Sequence, residues 1–169
     1  CKALTTVTIF DSVTSLHEEA FKGCTVSKLI IGEGSKIVTD QMVMCESSLR
    51  QIMIPDSVTT IGNSAFADCA VLPKIDLPDD LLTIGDYAFS NCYNLDTVTV
   101  NSADIMANGK FSKVFGENIT NYNIGGNIKE LADFAFFNYQ KIKKITLPES
   151  LETIGESAFE SCVNLDSVT

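Results

Sequence analysis

Apolar side chains recur along the chain as apolar-x-x-apolar-x-apolar, and this pattern returns about every 23 residues. It opens at eight positions separated by 22 to 24 residues: Leu4, Val26, Leu49, Leu72, Leu95, Ile119, Ile142 and Leu165. β-branched residues dominate the second and third apolar positions, as in Val98 and Val100, which is typical of short strands. The pattern therefore predicts one short strand per repeat, with its third and fifth positions facing solvent.

A turn and a second apolar segment follow the strand in the clearest repeats. The turns are Pro55-Asp56-Ser57, Pro78-Asp79-Asp80 and Pro148-Glu149-Ser150, where proline ends the ladder and Asp or Ser bonds the local backbone. A second apolar pair comes next, as in Leu81 and Ile84, and then an Ala-Phe dipeptide with a cysteine three residues later, as in Ala88-Phe89 and Cys92. This last spacing is that of one helical turn with its apolar side inward.

One repeat is too short to bury a core alone, so its stability must come from stacked neighbours. We therefore predict an α/β right-handed solenoid, with parallel strands on one face, short extended segments and single helical turns on the other, and phenylalanines stacked inside. Residues 1–169 are expected to form a single solenoid of about seven coils. Cys1 already occupies the cysteine place of a repeat, and Leu165 to Val168 stops inside a strand. We therefore expect the chain to be a slice of a longer array.

Two phrases carry a family resemblance: LPKIDLPDDLLTIGDYAFSNC (72–92) and IKKITLPESLETIGESAFESC (142–162). They resemble the BspA-like (treponemal class) leucine-rich repeats, and the match covers nearly the whole chain. Two repeats depart from the motif: the one opened by Val26 has Met42-Val43 in place of Ala-Phe, and the one opened by Leu95 carries NSADIMANGKFSKVFGEN. We expect both coils to be irregular on the side away from the strands.

The resemblance implies a non-catalytic leucine-rich repeat module at a cell surface or in secreted form, associated with adhesion and host interaction. Charge agrees with a protein partner, because 22 acidic against 12 basic residues give a net charge of −10 and disfavour nucleic acid. No apolar run approaches the roughly 20 residues that span a bilayer. An intracellular scaffold or an injected effector is the alternative interpretation, since free thiols are normal in a reducing compartment.

Few residues are suited to chemistry, so we expect no enzyme, no cofactor and no metal site. The six cysteines lie at or near one repeat position, which predicts free, buried thiols acting as small hydrophobes, with at least one disulfide as the alternative. His17 is the only histidine and has no partner for a triad. The glycines of 32–34 and 125–126 and the acidic pairs at 18–19 and 79–80 fit turns.

The outward positions of the strands are the remaining candidate for function. They bring lysines together in an acidic chain and expose Ile30 beside Met53 of the next coil, a modest signal of an interaction surface. The predicted partner-binding residues are Lys28, Ile30, Gln51, Met53, Lys74 and Asp76. The alternative is that isolated surface apolar residues need no functional explanation.

Overall fold

A computed structural model describes residues 1–13, 20–21, 23–40, 48–108, 111–116 and 118–169. In chain order these residues contain β1 (Thr6–Ile9), β2 (Lys28–Ile31), β3 (Ile37–Val38), β4 (Gln51–Met53), β5 (Thr60–Ile61), β6 (Lys74–Asp76), β7 (Thr83–Ile84), β8 (Thr97–Val100), α1 (Ala103–Asn108), α2 (Phe111–Phe115), β9 (Asn121–Ile124), β10 (Glu130–Leu131), β11 (Lys144–Thr146), β12 (Thr153–Ile154) and β13 (Ser167–Val168).

The predicted strand of every repeat forms, and these strands lie side by side as the strand face: β1, β2, β4, β6, β8, β9, β11 and β13. Pairing is parallel, and the register places equivalent repeat positions opposite each other, as in Leu29↔Ile52 and Val98↔Tyr122. The inward column is buried, with Ile75 and Tyr122 almost fully enclosed. This arrangement confirms the predicted solenoid and its period.

The second apolar segments form the back of the solenoid, where they pair into the parallel sheets β3-β5-β7 and β10-β12. Glycine follows several of these short strands, and Gly85 shows why. A Cβ built there would lie 2.4 Å from the backbone nitrogen of Asn63 in the preceding coil. Neighbouring coils therefore approach closely at this position, which has no need of a positive φ.

The Ala-Phe segments in the middle of the stack make single hydrogen-bonded turns that are also tied to the next coil. Ala67 N–H donates to the Ser64 carbonyl within the turn (3.2 Å), whereas Phe66 N–H donates to the Ala88 carbonyl of the following coil (2.8 Å). The backbone N–H groups therefore point alternately into the turn and toward the next coil. This alternation goes with left-handed φ values in and beside the turns, at Ser64, Asp68, Tyr87, Asn91, Phe134, Asn138, Ser157 and Ser161. The single turns exist as predicted, but they belong to a ladder between coils.

Stacked phenylalanine rings run through the interior and confirm the predicted spine. Successive ring centroids are 5.2 to 6.2 Å apart along Phe66, Phe89, Phe115, Phe111, Phe136 and Phe159. The repeat opened by Leu95 contributes two of these rings through α2. It is irregular as expected, because α1 and α2 replace the usual turn. Met42 and Val43 lie outside the described residues.

The cysteines correct one expectation. Cys69 is disulfide-bonded, so the prediction of free thiols is wrong at this position, while Cys1, Cys24, Cys92 and Cys162 are free. Stacked coils separate equivalent Cα atoms by about 4.8 Å, which lies within the range that a disulfide spans. The parallel arrangement of the thiols therefore does not exclude a bridge. Cys45 lies outside the described residues.

Candidate functional site

The strand face is divided into two sheets, β1-β2-β4 and β6-β8-β9-β11-β13. β4 and β6 come from successive repeats and their Cα atoms lie within 8 Å, yet the two strands are not hydrogen-bonded neighbours. In other coils the second residue of the repeat donates to the preceding coil, as Arg50 N–H does to Ser27 (2.9 Å) and Asp96 N–H to Pro73 (3.1 Å). Pro73 occupies this position itself and has no N–H to donate. The ladder is interrupted where the proline stands.

The interruption leaves main-chain groups of both strands without a partner strand. Parallel strands bond alternate residues to alternate neighbours, and Gln51 N–H donates toward β2, to Ser27 (3.0 Å). The N–H and carbonyl of Ile52 therefore face β6. The Pro73 carbonyl accepts from Asp96 N–H and faces β8, while the main-chain groups of Lys74 and Asp76 face β4, as those of Gln51 face β2. Among the described residues, no strand pairing joins these facing groups.

The same two coils stay closed at the back and in the interior. β5 pairs with β7 in the register Thr60↔Thr83, and Gly85 N–H donates to the Ile61 carbonyl (2.8 Å). Phe66 and Phe89 stack with centroids 5.2 Å apart across the junction. The coils are therefore open only on the strand face.

A cleft of ≈ 530 Å³ lies at this opening, a volume within the usual range for binding sites. Ile52 is 8% exposed and Met53 45%, so the lining combines a buried apolar side chain with an accessible one. The lining residues are Arg50, Gln51, Ile52, Met53, Ile54, Pro73, Lys74 and Asp76.

The charged residues of the cleft differ in how they are paired. Lys74 Nζ lies 3.9 Å from an Asp76 carboxylate oxygen, and the Thr99 hydroxyl donates to the other oxygen (2.6 Å). Arg50 is exposed and makes no side-chain hydrogen bond or ion pair within the described part of the chain. The cleft therefore presents one unpaired cation beside an internally compensated pair.

Four of the six predicted partner-binding residues line the cleft: Gln51, Met53, Lys74 and Asp76. Lys28 and Ile30 lie on β2 as register partners of Gln51 and Met53. Both are half-buried, so Ile30 presents less surface than the sequence pattern indicates. The structure brings all six onto adjacent strands of one face, with Lys28 and Ile30 beside the cleft.

Sequence reasoning missed Pro73 and Arg50, which both line the cleft. The signal was present in the second position of the repeats, which reads Thr5, Ser27, Arg50, Pro73, Asp96, Thr120, Lys143 and Asp166. Pro73 is the only residue of that column without an N–H. The column therefore identifies the coil at which the ladder breaks.

The other candidate residues serve turns where the structure describes them. Gly34 has a φ of 96° in the turn after β2. The Asn127 amide donates to an Asp79 carboxylate oxygen (3.0 Å), which ties two turns together. His17, Glu18 and Glu19 lie outside the described residues. In the described ranges, no three His, Cys, Asp or Glu side chains converge as a metal-binding group.

The described helices α1 and α2 have six and five residues, and no helix among the residues that the structure describes has the length and hydropathy of a bilayer-spanning segment.

Comparison with known proteins gives one family and a set of similar folds. A family model for the BspA type leucine-rich repeat region matches residues 1–115 and 111–169, in six copies. No curated protein matches the chain significantly.

Three crystal structures illustrate the similar folds. A leucine-rich repeat protein of T. pallidum is 20% identical, with 96% of this chain and 78% of that one covered and a TM-score of 0.60. A leucine-rich cell surface protein of Faecalibacterium prausnitzii is 19% identical (98% and 78% covered, TM-score 0.43). The pneumococcal vaccine antigen PcpA is 21% identical (98% and 50% covered, TM-score 0.45). The first of these supports the solenoid fold.

Proposed function

The chain belongs to the family of BspA-type leucine-rich repeat proteins, and from that premise we propose that it binds a partner protein through its strand face, around the cleft at Pro73. Leucine-rich repeat solenoids are typical protein-interaction modules, because they offer extended surface on a rigid stack. The observation that carries the proposal is that the interrupted ladder coincides with exposed Met53 and unpaired Arg50.

The size of the face suits a protein partner. Eight strands at about 4.8 Å spacing give a length of roughly 34 Å, and together with the adjoining turns this face offers area for an interface of standard size, about 800 Å² on each partner. The side chains that line the cleft supply charge, amide groups and apolar surface, and include no His, Cys or Ser. Binding without chemistry is therefore the function that this surface supports.

We place the module at a cell surface or in secreted form, in an adhesin-like role toward a host or cell-surface protein. The family resemblance supports this location, and so does the disulfide at Cys69, because disulfides persist in oxidising compartments and are rare in the cytosol. The same disulfide makes an intracellular scaffold or effector the weaker candidate.

The test compares two double variants that carry the same new charges, one on the strand face and one at exposed positions outside its strands. Ile30→Asp with Met53→Lys alters the strand face, and Leu82→Lys with Val163→Asp alters exposed apolar residues elsewhere. Labelled protein is applied to an array of extracellular protein domains and to an array of cytosolic proteins. We expect binding on the extracellular array, with affinity reduced about tenfold or more in the strand-face variant and unchanged in the control.

Circular dichroism and the urea midpoint establish that both variants fold. Met53→Lys alone serves as a second strand-face variant, because Ile30 is half-buried and its replacement by Asp carries a folding cost. Unchanged binding by a folded strand-face variant would refute the proposed surface. Binding confined to the cytosolic array would refute the proposed location.

A further inference from the structure

We propose that the partner enters the cleft as an extended acidic segment, which bonds through its main chain to the groups left open between β4 and β6 and places a carboxylate against Arg50. This inference rests on the proposed function and specifies the chemistry of the partner. Three independent features of the cleft lead to it: open backbone groups, an unpaired guanidinium and adjoining apolar surface.

The open backbone groups select an extended segment. Ile52, Lys74 and Asp76 direct main-chain N–H and carbonyl groups into the junction, where the ladder lacks a partner. In the free protein water satisfies such groups, and an extended peptide replaces that water with matched donors and acceptors. A helix has no free backbone groups along its length to offer in return.

The charge of the cleft selects a carboxylate. Asp76 is already compensated by Lys74 and Thr99, which leaves the exposed guanidinium of Arg50 as the group in need of a counter-ion. Arginine binds a carboxylate through two parallel hydrogen bonds, the strongest pairing open to it. An acidic segment would be repelled by the net charge of −10 at long range, but screening reduces that repulsion beyond about 8 Å at physiological ionic strength.

The apolar lining of the cleft favours an apolar residue next to the carboxylate in the bound segment. Met53 and Pro73 border the cleft and Ile52 lies beneath it. Successive residues of an extended peptide point to opposite sides. A segment with an apolar residue one position from its carboxylate therefore inserts the apolar side chain among these three residues and turns the carboxylate toward the rim.

The back of the solenoid keeps the site in place during binding. The β5–β7 pairing and the Phe66–Phe89 stack hold the two coils together behind the cleft. An intervening full strand would need about 9.6 Å between β4 and β6, twice the normal spacing, whereas their Cα atoms lie within 8 Å. The segment therefore lies along the mouth of the cleft, bonds from there to the main-chain groups that the opening exposes, and does not insert as a new strand between β4 and β6.

The experiment selects binders from random twelve-residue peptides displayed on phage, and then measures fluorescence anisotropy with the enriched peptide made synthetically. We expect enrichment of Asp or Glu beside an apolar residue. The same peptide methylated at every second backbone nitrogen keeps its side chains but loses half of its main-chain donors, and we expect it to bind about tenfold more weakly.

Three protein variants localise the peptide. Arg50→Gln removes the guanidinium and Pro73→Thr restores the missing N–H, as Thr120 has at the same repeat position. Lys144→Gln removes a charge on the same face, at the position equivalent to Lys74 but three coils away. We expect about tenfold weaker peptide binding in each of the first two and unchanged binding in Lys144→Gln, with the unfolding midpoint confirming that all three fold.

Several outcomes would overturn the inference: no enriched peptide, enrichment of Lys or Arg, or peptide affinity unchanged by N-methylation and by Pro73→Thr. Array binding separates this failure from that of the proposed function. If array binding is lost in Ile30→Asp with Met53→Lys but kept in Pro73→Thr, the strand face binds its partner without the cleft. If array binding survives in both variants, the proposed function fails as well.

Discussion

The junction between β6 and β8 and the junction between β4 and β6 are built from the same repeat, yet only the first is closed on the strand face. β6 and β8 pair over three residues, from Lys74↔Thr97 to Asp76↔Thr99, and Asp96 N–H donates to Pro73. One coil earlier the corresponding donor is Pro73, and no pairing forms. A proline without an N–H therefore marks the junction at which the continuous sheet gives way to a cleft.

The comparison also shows how independent the sides of a coil are. At the open junction the back is paired through β5 and β7, and the aromatic stack has nearly the same spacing as at the next junction, with Phe66–Phe89 at 5.2 Å and Phe89–Phe115 at 5.3 Å. The interior and the back therefore determine how the coils stack, while the strand face is free to vary.

The largest expected effect tests whether the interior holds the open junction. Phe89 is fully buried between Phe66 and Phe115, so Phe89→Ala is expected to lower the free energy of unfolding by about 3–5 kcal/mol. Asp86→Ala is the control, because the Asp86–Lys113 pair is half-exposed and such pairs contribute about 0–1 kcal/mol. Equal urea midpoints for the two variants would show that the phenylalanine spine is not the source of stability.

The next effect tests the close approach at the back of the same junction. In Gly85→Ala the new Cβ would meet the Asn63 nitrogen at 2.4 Å and the Gly62 carbonyl carbon at 2.5 Å. Because backbone has to move, we expect a loss of about 1–3 kcal/mol. Gly126→Ala is the matched control, since its Cβ would meet only the Ser150 hydroxyl oxygen at 3.9 Å. Thermal unfolding of both variants measures the difference, and similar midpoints would contradict a tight back.

A smaller effect concerns the buried thiol that crosses this junction. Cys92 Sγ donates to the Phe66 carbonyl (3.3 Å), and burial raises the pKa of Cys92 to about 12. The stabilisation that comes from keeping the Cys92 thiol neutral in the folded protein is complete below pH 9, the pKa of the exposed thiol. It is lost as the pH rises further, because the unfolded thiol ionises first.

We therefore expect the free energy of unfolding to fall by about 1 kcal/mol between pH 8 and pH 10 through Cys92. Urea titrations of the wild type and of Cys92→Ala at both values measure this difference. The variant should show a correspondingly smaller decrease, and parallel decreases would mean that Cys92 does not ionise on unfolding in this range.

The last effect is local to single amides and tests whether the ladder is open at this junction. Gln51 N–H is bonded to Ser27, whereas Ile52 N–H faces the junction, so hydrogen exchange followed by NMR should be faster at Ile52 than at Gln51. In Pro73→Thr we expect Ile52 exchange to slow by about tenfold, the equivalent of one hydrogen bond of about 1.4 kcal/mol. Uniform protection along β4 in the wild type would show that the ladder is closed in solution.

The sequence predicted the repeat, the strands and the buried columns, because strand alternation and a constant period leave little choice of register. It also placed Gln51, Met53, Lys74 and Asp76 on one surface. The cleft among them was missed because Pro73 lies in a polar position, where its effect comes from an absent donor and not from its side chain.

Other features depend on contacts between coils that one repeat does not contain. Tyr87 and Phe134 take left-handed φ values of 60° and 57°, although bulky residues disfavour that region. Their amides donate to the neighbouring coils, Tyr87 to Lys113 and Phe134 to Glu156, so the ladder on the back fixes their conformation. The disulfide at Cys69 also depends on stacking, since the spacing of cysteines within a sequence does not determine which ones are bridged.

The closed back opposite an open front has a mechanical consequence. When a stack is bent so that its strand face opens, every closed junction has to break main-chain hydrogen bonds on that face, but the junction between β4 and β6 has none to break. Bending concentrates there, with the Thr60↔Thr83 pairing as the pivot. A solenoid anchored at one end and pulled through a partner at the other would therefore flex at Pro73 before it yields anywhere else on the strand face.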